Sequence, residues 1–157
     1  MSRAGGFTLI ELVITLAIIG LLATAAMPLA QLVSKREKEA ELRASLREIR
    51  TAIDAYHHAA ETGHIKLEIG QSGYPPDLAT LYTGVEDAAS EKKNNLYFLR
   101  RIPRDPFFPD ASVSAEQTWG LRSYASPADD PQPGDDVYDV YSLSRAKGLN
   151  GIAYRQW

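Results

Sequence analysis

The sequence predicts an α+β fold in which a long N-terminal helix, membrane-spanning in its first half and amphipathic in its second, packs on a small C-terminal antiparallel β-sheet domain. Three observations carry this expectation. Leu12 to Ala30 is an uncharged run of nineteen residues. Leu42, Leu46, Ile49, Ile53, Tyr56 and Ala60 then recur at alternating spacings of four and three, a single helical stripe. Beyond Gly63 the composition shifts to Gly, Pro, Asp and Ser between short β-prone runs. The 157 residues leave room for one modest domain. With 17 Lys and Arg scattered among 20 Asp and Glu, net charge -3, there is no basic surface of the kind that neutralises phosphates, so nucleic acid is not an expected partner. The lack of cysteine excludes a disulfide, a thiolate nucleophile and Cys-ligated zinc.

The uncharged run, at about 1.5 Å of rise per residue, spans roughly 28 Å as a helix, close to the thickness of a bilayer core. Only Met1-Ser2-Arg3-Ala4-Gly5-Gly6 and Phe7-Thr8-Leu9-Ile10-Glu11 precede it. A secretory signal places its small-residue cleavage site after the apolar stretch and so discards it. Here a cut between Gly6 and Phe7 keeps the anchor. Glu11 is the one carboxylate at the edge of this stretch, and burying it in lipid costs roughly 2.5–3.5 kcal/mol. Cleavage before Phe7 creates an α-amine four positions upstream, on the same helix face, able to pair with Glu11 within one chain or between chains. The alternative is that Glu11 snorkels at the edge of an ordinary single-span anchor. Pro28 removes one backbone donor and frees the carbonyl of Thr24, which predicts a kink or loosening there, with Gly20 a second weak point.

The amphipathic stripe predicts that the helix continues from the membrane segment to about Thr62, where Gly63 ends it, a run from Phe7 of roughly 84 Å. Glu39 with Arg43 and Arg50 with Asp54 are opposite charges four apart, expected on a solvated face. Tyr74 to Leu81 reads as a turn and one short helix begun by proline. Pro103 and Pro106, three apart, forbid ladder pairing and predict a fixed loop after Leu96-Tyr97-Phe98-Leu99. Leu121–Ser126 and Val137–Ser144 read as two strands joined by the polar loop Pro127 to Gly134.

Gly6-Phe7-Thr8-Leu9-Ile10-Glu11-Leu12 resembles the processing and assembly signature of type IV pilins and type II secretion pseudopilins. The resemblance implies a pilin-like fold. It also implies that a dedicated membrane prepilin peptidase cuts between Gly6 and Phe7 and methylates the new amine of Phe7, that Glu11 guides subunits into a helical filament, and that Pro28 matches a proline of the family's helix. Lys35, Arg36 and Lys38 follow the span while only Arg3 and the amine precede it, so a positive-inside count leaves the C-terminal part in the cytoplasm. The resemblance implies the opposite, and the expectation follows it: an inner-membrane, single-pass protein with a periplasmic C-terminal domain.

In the second half, Tyr74-Pro75, Arg101-Ile102-Pro103-Arg104-Asp105-Pro106, Asp139-Val140-Tyr141-Ser142 and the terminal Trp157 resemble the major pseudopilins, the G subunits, of type II secretion. Phe107-Phe108 stands where that group has Trp-Gly, and the stretch from Asp105 to Val137 is longer and more polar. Asp129, Asp130, Asp135, Asp136 and Asp139 place five carboxylates within eleven residues, without EF-hand spacing. Their bland reading is a solvated acidic turn. The resemblance implies a calcium loop with one aspartate at Asp139 and a second seven residues on, where this chain has Ala146. A site then needs Asp135 or Asp136, Ser144 or Asn150 to supply oxygens, and the expectation is weak calcium binding or none, with no other cofactor.

His57, His58 and His64 do not share a helix face and are read as surface histidines rather than metal ligands. No catalytic motif is present, so no enzyme is expected. The aromatic residues read as core and rim of the small domain, except Phe107-Phe108, a candidate subunit contact. The expected organisation is a leader over 1–6, a transmembrane and assembly helix over 7–30, its amphipathic continuation over 31–62 and a loop-rich α+β domain over 63–157. The resemblance implies a structural subunit of a type II secretion pseudopilus that drives protein export across the outer membrane. Its partners are copies of itself, minor pseudopilins, the prepilin peptidase and the inner-membrane assembly platform. The alternatives are a type IV pilus pilin and a single-span anchored periplasmic binding domain.

Overall fold

In a computed structural model the described residues are 6–92 and 94–157, with the side chains of 25 and 26 left aside. Residues 1–5 of the leader expected over 1–6, Arg3 among them, lie outside the described residues. Helix α1 runs Leu9–Glu61, 53 residues, within two residues of both sequence-predicted ends, with Pro28 inside it. The chain divides into two compact units, Met1–Glu37 and Lys38–Trp157.

The second unit is built on the α1 stripe. Leu42, Leu46, Ile49, Ile53, Tyr56 and Ala60 are all buried, and the loops close over them with Ile65, Leu78, Leu81, Ile102, Trp119, Val137, Val140 and Tyr154. A fully buried Leu or Ile contributes about 1.5–3 kcal/mol, so this one face supplies much of the driving force. Gly63, at φ 80°, stops the helix in a left-handed conformation that other residues rarely adopt, and the amide of His64 turns back to donate to the carbonyl of Ala59 at 2.9 Å.

The remaining elements are short: α2 (Thr80–Thr83), β1 (Val85–Glu86), β2 (Asn95–Leu96), β3 (Trp119–Arg122) and β4 (Asp139–Ser142). β1 pairs with β2 and β3 with β4, each antiparallel, with Trp119 opposite Ser142 and Arg122 opposite Asp139. Three expectations need adjusting. The short helix begins later than its prolines suggest, at Thr80, and the turn before it is held by Asp77, whose Oδ1 accepts from both the amide and the hydroxyl of Thr80 at 2.8 Å. The strand expected over Leu121–Ser126 lies at Trp119–Arg122, since the amide of Ser123 is taken by the carbonyl of Gln132 at 3.0 Å and that of Tyr124 by Asp136 Oδ1 at 2.8 Å. Its partner ends at Ser142, whose hydroxyl accepts the amide of Ser144 at 3.1 Å and turns the chain.

Three polar anchors tie the irregular segments down. Glu39, only 4% exposed, accepts from the hydroxyl of Tyr154 at 3.0 Å and from the amide of Leu149 at 2.8 Å. Arg50 donates through Nε to Asp139 at 2.7 Å and through Nη2 to the carbonyl oxygens of Val140 at 3.1 Å and Trp157 at 2.9 Å. Asp105, buried, accepts from the hydroxyl of Ser142 at 2.6 Å and from the amide of Phe107 at 2.8 Å, while its own amide donates to Thr118. Of the two expected surface pairs, Glu39 with Arg43 forms at 3.9 Å, though the Glu39 carboxylate is buried, and Arg50 bonds to Asp139 on β4 in place of Asp54.

Two measurements follow. Replacing Ile53 by Ala removes a fully buried side chain from the stripe and is expected to destabilise the unit by about 2–5 kcal/mol in urea unfolding. Burial and the Glu39 carboxylate push the phenol of Tyr154 up to about 12 from its ordinary 10.0. Its contribution to stability is thus complete below pH 10.0 and lost as pH rises through about 12. Ultraviolet titration of the tyrosinates should show this late phenol, and Glu39→Gln should bring it down.

Candidate functional site

The N-terminal end of α1 is organised by Thr8. Its hydroxyl accepts the amide of Glu11 at 3.3 Å and its carbonyl the amide of Leu12 at 3.2 Å, so Thr8 is the cap and Glu11 the third helical residue. Thr8-Leu9-Ile10-Glu11 has the Thr-x-x-Glu spacing of a capping box, with the Thr8 half of it formed, and Phe7 with Leu12 are spaced as a hydrophobic staple. The box is legible in the sequence once Glu11 is read for its position as well as its charge. A carboxylate in the first turn also meets the positive end of the helix dipole. Phe7 precedes the cap. With residues 1–6 still attached, the helix starts at Leu9, two residues after Phe7. Gly6, Phe7 and Glu11 are all exposed.

Beyond the cap, the apolar side chains are exposed all around α1: Ile10, Val13, Ile14, Ile18, Leu21 and Leu29 are each more than half accessible. This part of the helix is long and apolar enough to cross a membrane, and none of the residues in its most apolar eighteen-residue window is buried. Its hydroxyls are satisfied locally, Thr15 donating to the carbonyl of Leu12 at 2.8 Å and Thr24 to that of Leu21 at 2.7 Å. Pro28 lies inside the helix, where it takes away one donor. Such a segment can sit in lipid or pack against other apolar helices with no described polar side chain stranded except Glu11.

The acidic residues of the second unit do not converge. Asp139 is held by Arg50, and its Oδ1 also accepts the amide of Val140 at 2.8 Å. Asp136 holds the amide of Tyr124, while Asp129, Asp130 and Asp135 are exposed. Among the described residues no group of three or more His, Asp or Glu side chains is arranged to hold a metal ion. Ser144 accepts the amide of Ala146, and Asn150 Oδ1 that of Ile152 at 3.0 Å, so neither oxygen joins Asp139.

The histidines also separate. His57 stacks on Tyr74 at 4.2 Å and stands 3.8 Å from Glu61, whereas His64 Nδ1 lies 2.9 Å from Asp87 Oδ1 and holds that carboxyl below its usual range. Phe107, a candidate subunit contact with Phe108, is half-buried and stacks on Tyr154 at 4.1 Å; its ring belongs to the core.

Residues 1–27 match the model of the prokaryotic N-terminal methylation motif, the prepilin-type signal of type IV pilin-like proteins. The match covers Gly6, Phe7 and Glu11 and ends one residue before Pro28. It implies processing and filament assembly and a membrane-anchored structural subunit with a single span. No solved structure matches the chain.

The cap gives a direct measurement. Thr8→Ala removes the acceptor for the Glu11 amide, at about 1 kcal/mol for a typical cap, and hydrogen exchange at that amide is expected to quicken about fivefold while the core amides of residues 42–60 are unchanged.

Proposed function

We propose that this chain is a structural subunit of a type II secretion pseudopilus, of the G type. The observation that carries the proposal is the methylation motif over 1–27 on a helix whose apolar surface is exposed on every side. In this reading the peptidase cuts between Gly6 and Phe7 and methylates Phe7. The subunit waits in the inner membrane with its C-terminal unit in the periplasm, and the assembly platform draws it into a filament with further copies and minor pseudopilins. Growth of the filament drives export across the outer membrane.

Elementary energetics give each residue its task. Within a bundle of like helices the apolar side chains exchange lipid neighbours for protein neighbours, so association gains little from hydrophobicity and relies on packing and on polar pairing. Glu11 is the polar group that needs a partner. Cleavage supplies one, since removal of the leader places a cation at Phe7, and a charge pair in an apolar surround is strong because little water competes. A Glu11 in one subunit bonded to the amine of its neighbour fixes the axial register. The G-type resemblance is supported by Asp105 and Ser142, from two of the motifs that carry it, which hydrogen bond to each other in the core.

The first test is intact-mass and N-terminal peptide analysis of the protein from its native membrane, in which a chain starting at N-methyl-Phe7 is expected. A chain still starting at Met1 would make this an ordinary anchored domain, and long fibres outside the cell would make it a pilus pilin. Gly6→Ala is expected to leave an unprocessed, unassembled precursor. Glu11→Ala should be processed yet fail to assemble, and Glu11→Gln isolates the charge. Glutamine keeps the size and polarity of the side chain but not its charge, so it should fail in assembly as alanine does. Filaments formed normally by Glu11→Gln would overturn the charge-pairing role.

Calcium is proposed to be dispensable. The Asp139 carboxylate is committed to Arg50, and Ala146 stands at the second expected ligand. Millimolar calcium is expected to leave the melting temperature unchanged within a degree or so; a rise of several degrees, abolished in Asp139→Ala, would contradict this.

A further inference from the structure

Arg43, Arg47 and Arg50 follow one another on α1 at spacings of four and three, on one side of a solvent-open pocket of about 340 Å³. Asn150, Gln156 and the indole of Trp157 also line it. What distinguishes this place from other surface arginines is that the carboxylates of Glu39 and Asp139 already have partners, whereas Arg43 and Arg47 have donors to spare. Glu39 receives the hydroxyl of Tyr154 and the amide of Leu149, and Asp139 receives Arg50. Arg50 is further used by the carbonyl oxygens of Val140 and Trp157.

Arg43 keeps most of its hydrogen-bonding capacity. Its guanidinium lies over the Trp157 ring, 4.2 Å from the centroid, with Glu39 at a distant 3.9 Å, and its side chain is 50% exposed. Arg47 is exposed. The amide of Asn150 is oriented by the Ile152 N–H donating to its Oδ1, which leaves its NH₂ free to donate. The Nε1–H of Trp157 is buried and has no hydrogen-bond partner, the only such side-chain atom among the described residues. A buried, unpaired donor costs about 1–3 kcal/mol unless something accepts from it. Gly148 allows the indole this position, since a Cβ there would stand 2.4 Å from the ring.

We propose that this pocket binds an oxyanion of the phosphate class, held by the guanidinium forks of Arg43 and Arg47 and the amide of Asn150, with the indole of Trp157 as its floor. Planar guanidinium groups suit such ligands because two parallel N–H donors match two oxygens. The site is independent of the filament reading. It requires only the second unit and takes its anion either from solution or from a phospholipid headgroup.

The test uses the full chain in zwitterionic detergent, at low ionic strength and free of phosphate. Inorganic phosphate is titrated by ³¹P NMR. Saturable line broadening is expected for the native chain, with at least tenfold weaker binding in R43Q/R47Q, about threefold weaker binding in N150A, and no change in R145Q/R155Q. Those last two arginines line a pocket that shares no residue with this one and control for unspecific attraction. Equal affinity in native and R43Q/R47Q chains, or equal losses in the two arginine pairs, would overturn the site. So would a native chain that shows no saturation. Repeating the titration with monomeric dihexanoyl phosphatidylglycerol distinguishes the sources: tenfold tighter binding than phosphate identifies a headgroup, and equal affinity a free anion.

Discussion

Everything in the C-terminal unit leans on one stripe of one helix. Two ladders of two strands each do not hold themselves together in water, and the chain has no cysteine to staple its loops. The apolar face from Leu42 to Ala60 is the one long regular surface available. The short elements therefore behave as a cover laid on α1, and the polar anchors stand where that cover would otherwise lift. Glu39 holds the last turns of the chain at one end of the stripe, Arg50 holds β4 near its middle, and Asp105 locks the proline-rich loop to β4. Each uses a charged group to fasten irregular backbone that no ladder fastens.

That division explains what the sequence reveals and what it hides. The stripe is legible because a spacing of four and three has one meaning, and all six of its residues are buried. The ends of α1 are nearly as clear, with Gly63 at one and Thr8 at the other. The cover is less so. β1 and β2 are two residues each and carry no periodicity to read, and β3 stops at Arg122 because remote groups, the carbonyl of Gln132 and the carboxylate of Asp136, claim the next amides. Local propensity has no access to such competition. The same holds for Arg50, whose nearest helical acid is Asp54 but whose partner is Asp139, 89 residues away.

The candidate site divides along a similar line. Gly6, Phe7 and Glu11 stand out because a short leader before an apolar run, with one carboxylate at its edge, is an unusual order of residue types. The acidic cluster of the C-terminal loop stands out too, by composition, but composition does not determine convergence: its members face amides, an arginine or water. Glu11 is legible as a charge by its type and as part of a cap only by its position three residues after Thr8, and the two roles require different atoms. Its carboxylate serves as a charge, while its own amide is the donor to Thr8.

The local satisfaction of Thr15 and Thr24 has a consequence for how the apolar segment responds to its surroundings. Neither hydroxyl asks anything of a neighbour, so along most of its length the segment is nearly indifferent to whether lipid tails or other helices surround it. Two environments of almost equal free energy make a balance that small inputs can tip in either direction. In the proposed assembly, that input is the charge of Glu11 at the end of the helix. A segment of this kind is fit for repeated transfer between states, because nothing along its flank has to be broken to leave either one.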